Sequence, residues 1–191
     1  MKFFSLALLL SLGALLFLSS SPTVPPAAPV SVEPAAETAI KIKWVTWQEA
    51  IRLNKKHPRK IMVDLYTDWC GWCKKMDKST FVDPVVVNYV NENFYAVKFD
   101  AEQRGTLQYQ GHSFQFKSDA GRRGAHELAI ALLDGRMSYP SMVYLDEKQD
   151  RIAISPGFKP GDQLMIELRF AAQNHYKVQE FAAYKASLSR D

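Results

Sequence analysis

Val63-Asp64-Leu65-Tyr66-Thr67-Asp68-Trp69-Cys70-Gly71-Trp72-Cys73-Lys74 is an apolar run broken by one acid and ending in two cysteines that stand two residues apart. With Ile61 and Met62 before it, the run to Tyr66 reads as a strand covered on both faces, as parallel sheets require, and Asp64 is the anomaly within it. Lys74 to about Ser79 has a helical pattern, so the cysteine pair sits at a strand-to-helix junction, where open α/β sheets concentrate their ligand chemistry. These are the only cysteines among 191 residues, which excludes a disulfide-stapled mini-protein and a cysteine-built zinc cluster and leaves one possible internal bridge.

The flanks extend the pattern. Thr46 and Glu49 have capping-box spacing, and Trp47, Ala50 and Ile51 share a face of a helix predicted to run to about Lys56 before Pro58. Asp83 followed by Pro84 opens another helix, whose stripe is Val86, Tyr89 and Val90. Tyr95 to Phe99 reads as a strand. Tyr109, Phe114 and Phe116 suggest a small hairpin in a polar stretch, and Ala125, Leu128, Ala129, Leu132 and Leu133 suggest an amphipathic helix. Ser141 to Leu145 and Arg151 to Ser155 read as an antiparallel hairpin, followed by a long helix with Leu164, Leu168, Ala171 and Ala172 on one side. The order predicts an α/β fold, a mixed sheet with helices on both faces.

The stretch resembles the active-site segment of the thioredoxin family, in which an apolar strand carrying one Asp leads into Trp-Cys-x-x-Cys-Lys. Downstream, Val97-Lys98-Phe99-Asp100 matches the family's strand with a lysine, Tyr139-Pro140-Ser141 its cis-proline before a strand, and Gly157 its glycine after the last strand. Within the superfamily the WCGWCK motif is most similar to exported bacterial thioredoxin-like thiol-disulfide oxidoreductases. Trp72 departs from thioredoxin itself, which has proline there, and an extra segment separates Asp100 from Pro140. The resemblance implies a thioredoxin fold with an insertion between the third-helix region and the cis-proline strand. It implies a redox-active Cys70–Cys73 disulfide in which Cys70 attacks and Cys73 resolves. Asp64 would lie under Cys73 and take its proton, and Lys98 would tune Asp64. Pro140, with Tyr139, would present backbone to a substrate segment, and Trp69, Gly71 and Trp72 would flank an exposed sulfur.

The plainer reading of the pair is a static bridge, but so short a loop restrains the unfolded chain by only roughly 2 kcal/mol. Two more readings stand beside it: a soft-metal module holding copper on Cys70, Cys73 and a histidine, and a redox-inactive interaction protein of the same fold. His112 and His126 read as surface residues. No cofactor is called for. Protein disulfides or thiols are the expected substrates, with a redox partner recycling the pair; the residues leave reductase, oxidase and isomerase directions open. A formal charge of +4 from 24 basic and 20 acidic residues is too small and dispersed to indicate nucleic acid, and a monomer is expected.

Lys2 precedes an uncharged run from Phe3 to Leu18, the layout of a secretory signal. As a helix it covers roughly 24 Å, short of the ~30 Å of a hydrocarbon core, so cleavage and export to the periplasm or cell envelope are expected. No cysteine follows the run closely enough for a lipid anchor. Five of the ten prolines lie between Pro22 and Pro34, as in an extended tether. The expected organisation is a signal segment over 1–21, a Pro/Ala-rich linker over 22–39, a domain over 40–175 with its insertion at about 103–137, and a helical extension over 176–191.

Overall fold

The computed structural model describes residues 41–189, so the signal segment and the whole Pro/Ala-rich linker lie outside the described residues. A five-stranded mixed sheet organises the domain. Its strands are β1 (Trp44–Val45), β2 (Lys60–Tyr66), β3 (Phe94–Asp100), β8 (Ser141–Leu145) and β9 (Arg151–Pro156), in the order β1-β3-β2-β8-β9. β2 is central, parallel to β3 and antiparallel to β8, and it is buried from Lys60 to Leu65.

Alternation along β2 splits its side chains between two cores. Met62 joins the face covered by α2 (Gly71–Lys78), α3 (Pro84–Asn93) and α5 (Gly161–Ala172), where Met76, Val86, Val90, Leu164 and Leu168 are buried. Ile61, Val63 and Leu65 join the other face, covered by α1 (Trp47–Lys56) and α4 (Glu127–Leu132). Removing each of these side chains from water contributes roughly 1.5 to 3 kcal/mol.

The expected caps form. Thr46 Oγ1 accepts the amide of Glu49 at the start of α1, and Asp83 Oδ1 accepts that of Val85 at the start of α3. Two-residue β1 was not predicted; it pairs with β3 through Trp44 and Val45.

In the insertion the expected single hairpin is two separate ladders, β4 (Leu107–Tyr109) with β5 (His112–Phe114) and β6 (Phe116–Lys117) with β7 (Ala125–His126). The helix predicted from Ala125 starts at Glu127, because His126 caps it and Ala125 pairs with Lys117. The apolar stripe was nevertheless in the right phase: Ala125, Leu128, Ala129, Leu132 and Leu133 are all buried.

His126 is the correction here. Far from being a surface residue, it is fully buried, with its ring edge-on to Phe99. Nδ1 accepts the amide of Leu128 at 3.2 Å, so Nε2 carries the hydrogen and donates it to the Gly105 carbonyl at 2.9 Å. His112 is exposed, as expected. Beyond α5, a turn at His175–Lys177 leads to α6 (Phe181–Ser187), whose Tyr184 packs on Phe170.

Candidate functional site

Cys70 is the N-cap of α2. It follows β2 through a turn in which its amide donates to the Thr67 carbonyl at 3.1 Å, and its Sγ accepts the amide of Cys73 at 3.1 Å. Cys73 lies one turn inside and is disulfide-bonded to Cys70, with a Cα separation of 5.3 Å. A sulfur in this place meets the unpaired N–H groups and positive end of the helix, which favour a thiolate once the bond is reduced.

The sulfur is not exposed as the sequence suggested. Cys70 and Cys73 keep only 5% and 2% of their accessible surface, whereas the tryptophans beside them keep 52% at Trp69 and 57% at Trp72. Apolar indole surface thus surrounds a nearly covered pair. Gly71 has open space where a side chain would stand.

Both tryptophans meet the opposite wall. Trp69 stands edge-on to Tyr139 at 6.1 Å, and its indole N–H donates to Glu102 at 2.8 Å. Trp72 lies 5.5 Å from the ring of Phe158, and the Lys75 ammonium sits over both rings. The Tyr139–Pro140 peptide is cis, and the Pro140 carbonyl accepts the amide of Gly157 at 2.8 Å, tying this loop to the end of β9. A hollow of about 370 Å³ is lined by Trp72, Tyr139, Pro140, Gly157 and Phe158. Burial, with Glu102 and Asp100 adding repulsion, pushes the Tyr139 hydroxyl up to about 12.

Beneath α2, Asp64 sits on the same face of β2 as Met62 and is 1% exposed. It stands opposite Lys98 in the parallel register, and Lys98 Nζ lies 2.7 Å from Asp64 Oδ2. The same ammonium binds Asp77 of α2 and stands 5.0 to 5.3 Å from the ring centres of Trp44, Tyr66 and Phe81. Burial raises the Asp64 carboxyl to about 6 even though Lys98 pulls it down, because desolvation of a nearly closed site outweighs one partly exposed cation. Burial works against the Lys98 charge too, but Asp64 and Asp77 outweigh it and raise its pKa. Asp64 Oδ1 has no hydrogen-bond partner among the described residues.

Asp77, Glu102, Phe158 and Lys159 were missed in the sequence. Asp77 had a signal, since it follows Cys73 by four residues and so shares its helix face. Glu102 and Phe158 had none, being brought in by loops. Lys159 is buried and donates to the carbonyls of Ser155, Pro156 and Gly157 at 2.9 to 3.3 Å. Its ammonium lies 3.7 Å from Glu167, whose carboxylate accepts Ser155 at 2.6 Å and Tyr144 at 3.0 Å. This buried network holds the chain on either side of Phe158. Burial lowers the Lys159 pKa against the pull of Glu167.

For a copper module a third ligand is lacking among the described residues: no three His, Cys, Asp or Glu side chains gather there, and both ring nitrogens of His126 are committed.

A family model described as Thioredox_DsbH, "Protein of unknown function, DUF255", matches residues 35–179. The Thiol:disulfide interchange protein DsbD of Pectobacterium atrosepticum is 50% identical over 36 residues, covering 19% of this chain and 6% of that protein. The chain spans at most 9% of the length of the first curated relatives it matches. A solved structure named DsbH Oxidoreductase superimposes with a TM-score of 0.51 at 17% identity, covering 81% of this chain and 95% of that one. A thioredoxin-fold protein from Helicobacter pylori superimposes with a TM-score of 0.52 at 16% identity over 70% of this chain and 87% of that one. At these identities the two superpositions speak to the fold, and the fold is that of thioredoxin.

Proposed function

The chain belongs to the Thioredox_DsbH family, and from that premise we propose that it is an exported thiol-disulfide oxidoreductase acting on protein disulfides. The observation that carries the proposal is the Cys70–Cys73 disulfide closed across the first turn of α2, with the attacking sulfur at the helix N-cap.

In the reducing direction the Cys70 thiolate attacks one sulfur of a substrate disulfide. The substrate S–S bond breaks, a Cys70–substrate bond forms, and the leaving thiolate takes a proton from solvent. Cys73 then gives its proton to Asp64 and attacks the Cys70 sulfur. The internal disulfide forms and the second substrate thiolate departs, so the substrate gains two electrons and the pair loses two. A carboxyl raised to about 6 with one unpartnered oxygen suits this transfer near neutral pH. The pair returns to the dithiol by the same exchange with a partner dithiol, and the reverse sequence donates a disulfide. The tryptophans and the Tyr139–Pro140 loop supply the surface on which an extended substrate segment lies.

Export to the periplasm or cell envelope is part of the proposal and rests on Lys2 and the uncharged run Phe3 to Leu18. Among the described residues no helix is long and apolar enough to cross a membrane.

The test is reduction of an insulin-type disulfide by the reduced protein. Cys70→Ser should abolish it, and Cys73→Ser should accumulate a mixed disulfide between Cys70 and substrate. Undiminished turnover by Cys70→Ser would overturn the proposal. The potential of the couple then sets the direction: near ~−270 mV makes a reductase, near ~−120 mV a disulfide donor.

A further inference from the structure

The insertion builds a second cleft, larger than the hollow at Pro140. It encloses about 840 Å³ and is lined by Trp69, Glu102, Arg122, Arg123, Met137 and Tyr139, among others. Tyr139 borders both spaces, and Trp69 precedes Cys70 in the chain, so the cleft lies beside the segment that carries the reactive pair. The volume lies towards the upper end of ordinary ligand sites and suits a stretch of polypeptide several residues long.

Its charges are unevenly matched. In the insertion Lys117 pairs with Glu127 at 3.1 Å and Asp134 with Arg151 at 2.8 Å, while Arg104, Asp119 and Arg136 make no ion pair among the described residues. Arg122 and Arg123 make no ion pair among the described residues, and Asp119 close by in the chain pairs with neither. Both arginines are exposed. The Arg123 guanidinium lies over the Trp69 ring, 5.6 Å from its centre, with N–H groups still to donate. The one carboxylate in the lining, Glu102, is engaged by the indole N–H of Trp69. The lining thus combines an aromatic floor with two guanidinium groups that make no ion pair among the described residues and a single carboxylate, a formal excess of one positive charge.

Resting on the oxidoreductase reading, we infer that this cleft docks an acidic, extended segment of the protein whose disulfide is exchanged at Cys70. Its carboxylates lie on Arg122 and Arg123 and an apolar side chain lies on Trp69. The insertion is then the element that selects substrates, by charge, on the side of the site away from Phe158. Arg rather than Lys suits the task, because its planar fork meets a carboxylate with two parallel hydrogen bonds.

The test separates docking from chemistry. Two cysteine-free peptides of equal length, one with paired glutamates around a central phenylalanine and one with paired lysines, are titrated into the oxidised protein by calorimetry. The acidic peptide should bind at least about tenfold more tightly, a difference that two partly exposed ion pairs can supply, and raising salt to about 0.5 M should erase most of it. Arg122→Glu with Arg123→Glu should invert the preference, while Arg122→Lys with Arg123→Lys should keep its sign. Equal binding of the two peptides by the unaltered protein, or no binding of either, overturns the assignment without recourse to any variant. The same peptides joined through a disulfide to a reporter thiol are then offered to the reduced protein. Loss of exchange with both counts against the oxidoreductase reading, whatever the calorimetry gives, and equal exchange with unequal binding counts against docking at this cleft as the source of selectivity.

Discussion

The Lys98 ammonium joins Asp64 of β2, 2.7 Å away, to Asp77 of α2, so one cation bonds the central strand to the helix that begins at the cysteine pair. Two acids share one base in a site ringed by Trp44, Tyr66 and Phe81. Desolvation outweighs pairing at Asp64, and its carboxyl is held at about 6.

Asp64→Asn should therefore stabilise the fold at alkaline pH while slowing resolution by Cys73. An aspartate near ~3.9 in the unfolded chain and about 6 in the folded one binds its proton more tightly when folded, so stability falls as pH rises across that window and stays low above it. The gain on substitution should be about 2 to 3 kcal/mol at pH 8 and close to nothing at pH 4. Urea unfolding at the two pH values measures it, and a loss of stability at pH 8 would refute the raised carboxyl.

Lys98→Met acts in the opposite direction to Asp64→Asn over the same pH window. It leaves Asp64 buried with no cation, and removing one partner of such a pair costs about 3 to 5 kcal/mol when the other stays charged. At pH 8 the cost should be full; at pH 4, with Asp64 protonated, most of it should vanish. Equal destabilisation at both values would mean that the loss is one of packing against the three rings.

Lys159→Met should loosen the segment that carries Phe158, because three carbonyls and Glu167 lose their common partner. The expected cost is about 2 to 4 kcal/mol, from Glu167 left without a nearby cation. Affinity for a protein disulfide should weaken, read as a higher KM with little change in kcat. A lower kcat with KM unchanged would assign Lys159 to the chemistry instead.

Gly124→Ala should damage the insertion alone. Gly124 has φ +77°, and an added Cβ would collide with the Phe116 ring and come 2.7 Å from the Lys117 carbonyl. Backbone and ring must both shift, a cost of about 1 to 3 kcal/mol. Hydrogen exchange should rise in β6 and β7 while β2 and β3 stay protected, and unchanged protection throughout would show that the ladder can absorb a methyl group.

Much of this architecture was legible in the chain because local chemistry dictated it. The apolar run of β2, the Thr46 and Asp83 caps and the stripes of α1, α3, α4 and α5 each follow from periodicity and capping within a few turns. The two cysteines, the lone acid in the strand and the proline before β8 could be read in order because each is fixed by its place on an element. Tertiary structure alone decided what lies between elements. It buried Cys70. It committed both nitrogens of His126 to the backbone, and it brought Asp77 to Lys98, Phe158 to Trp72 and Glu102 to Trp69. Desolvation and pairing depend on how closely distant segments pack, and no pattern along a single strand or helix records that distance.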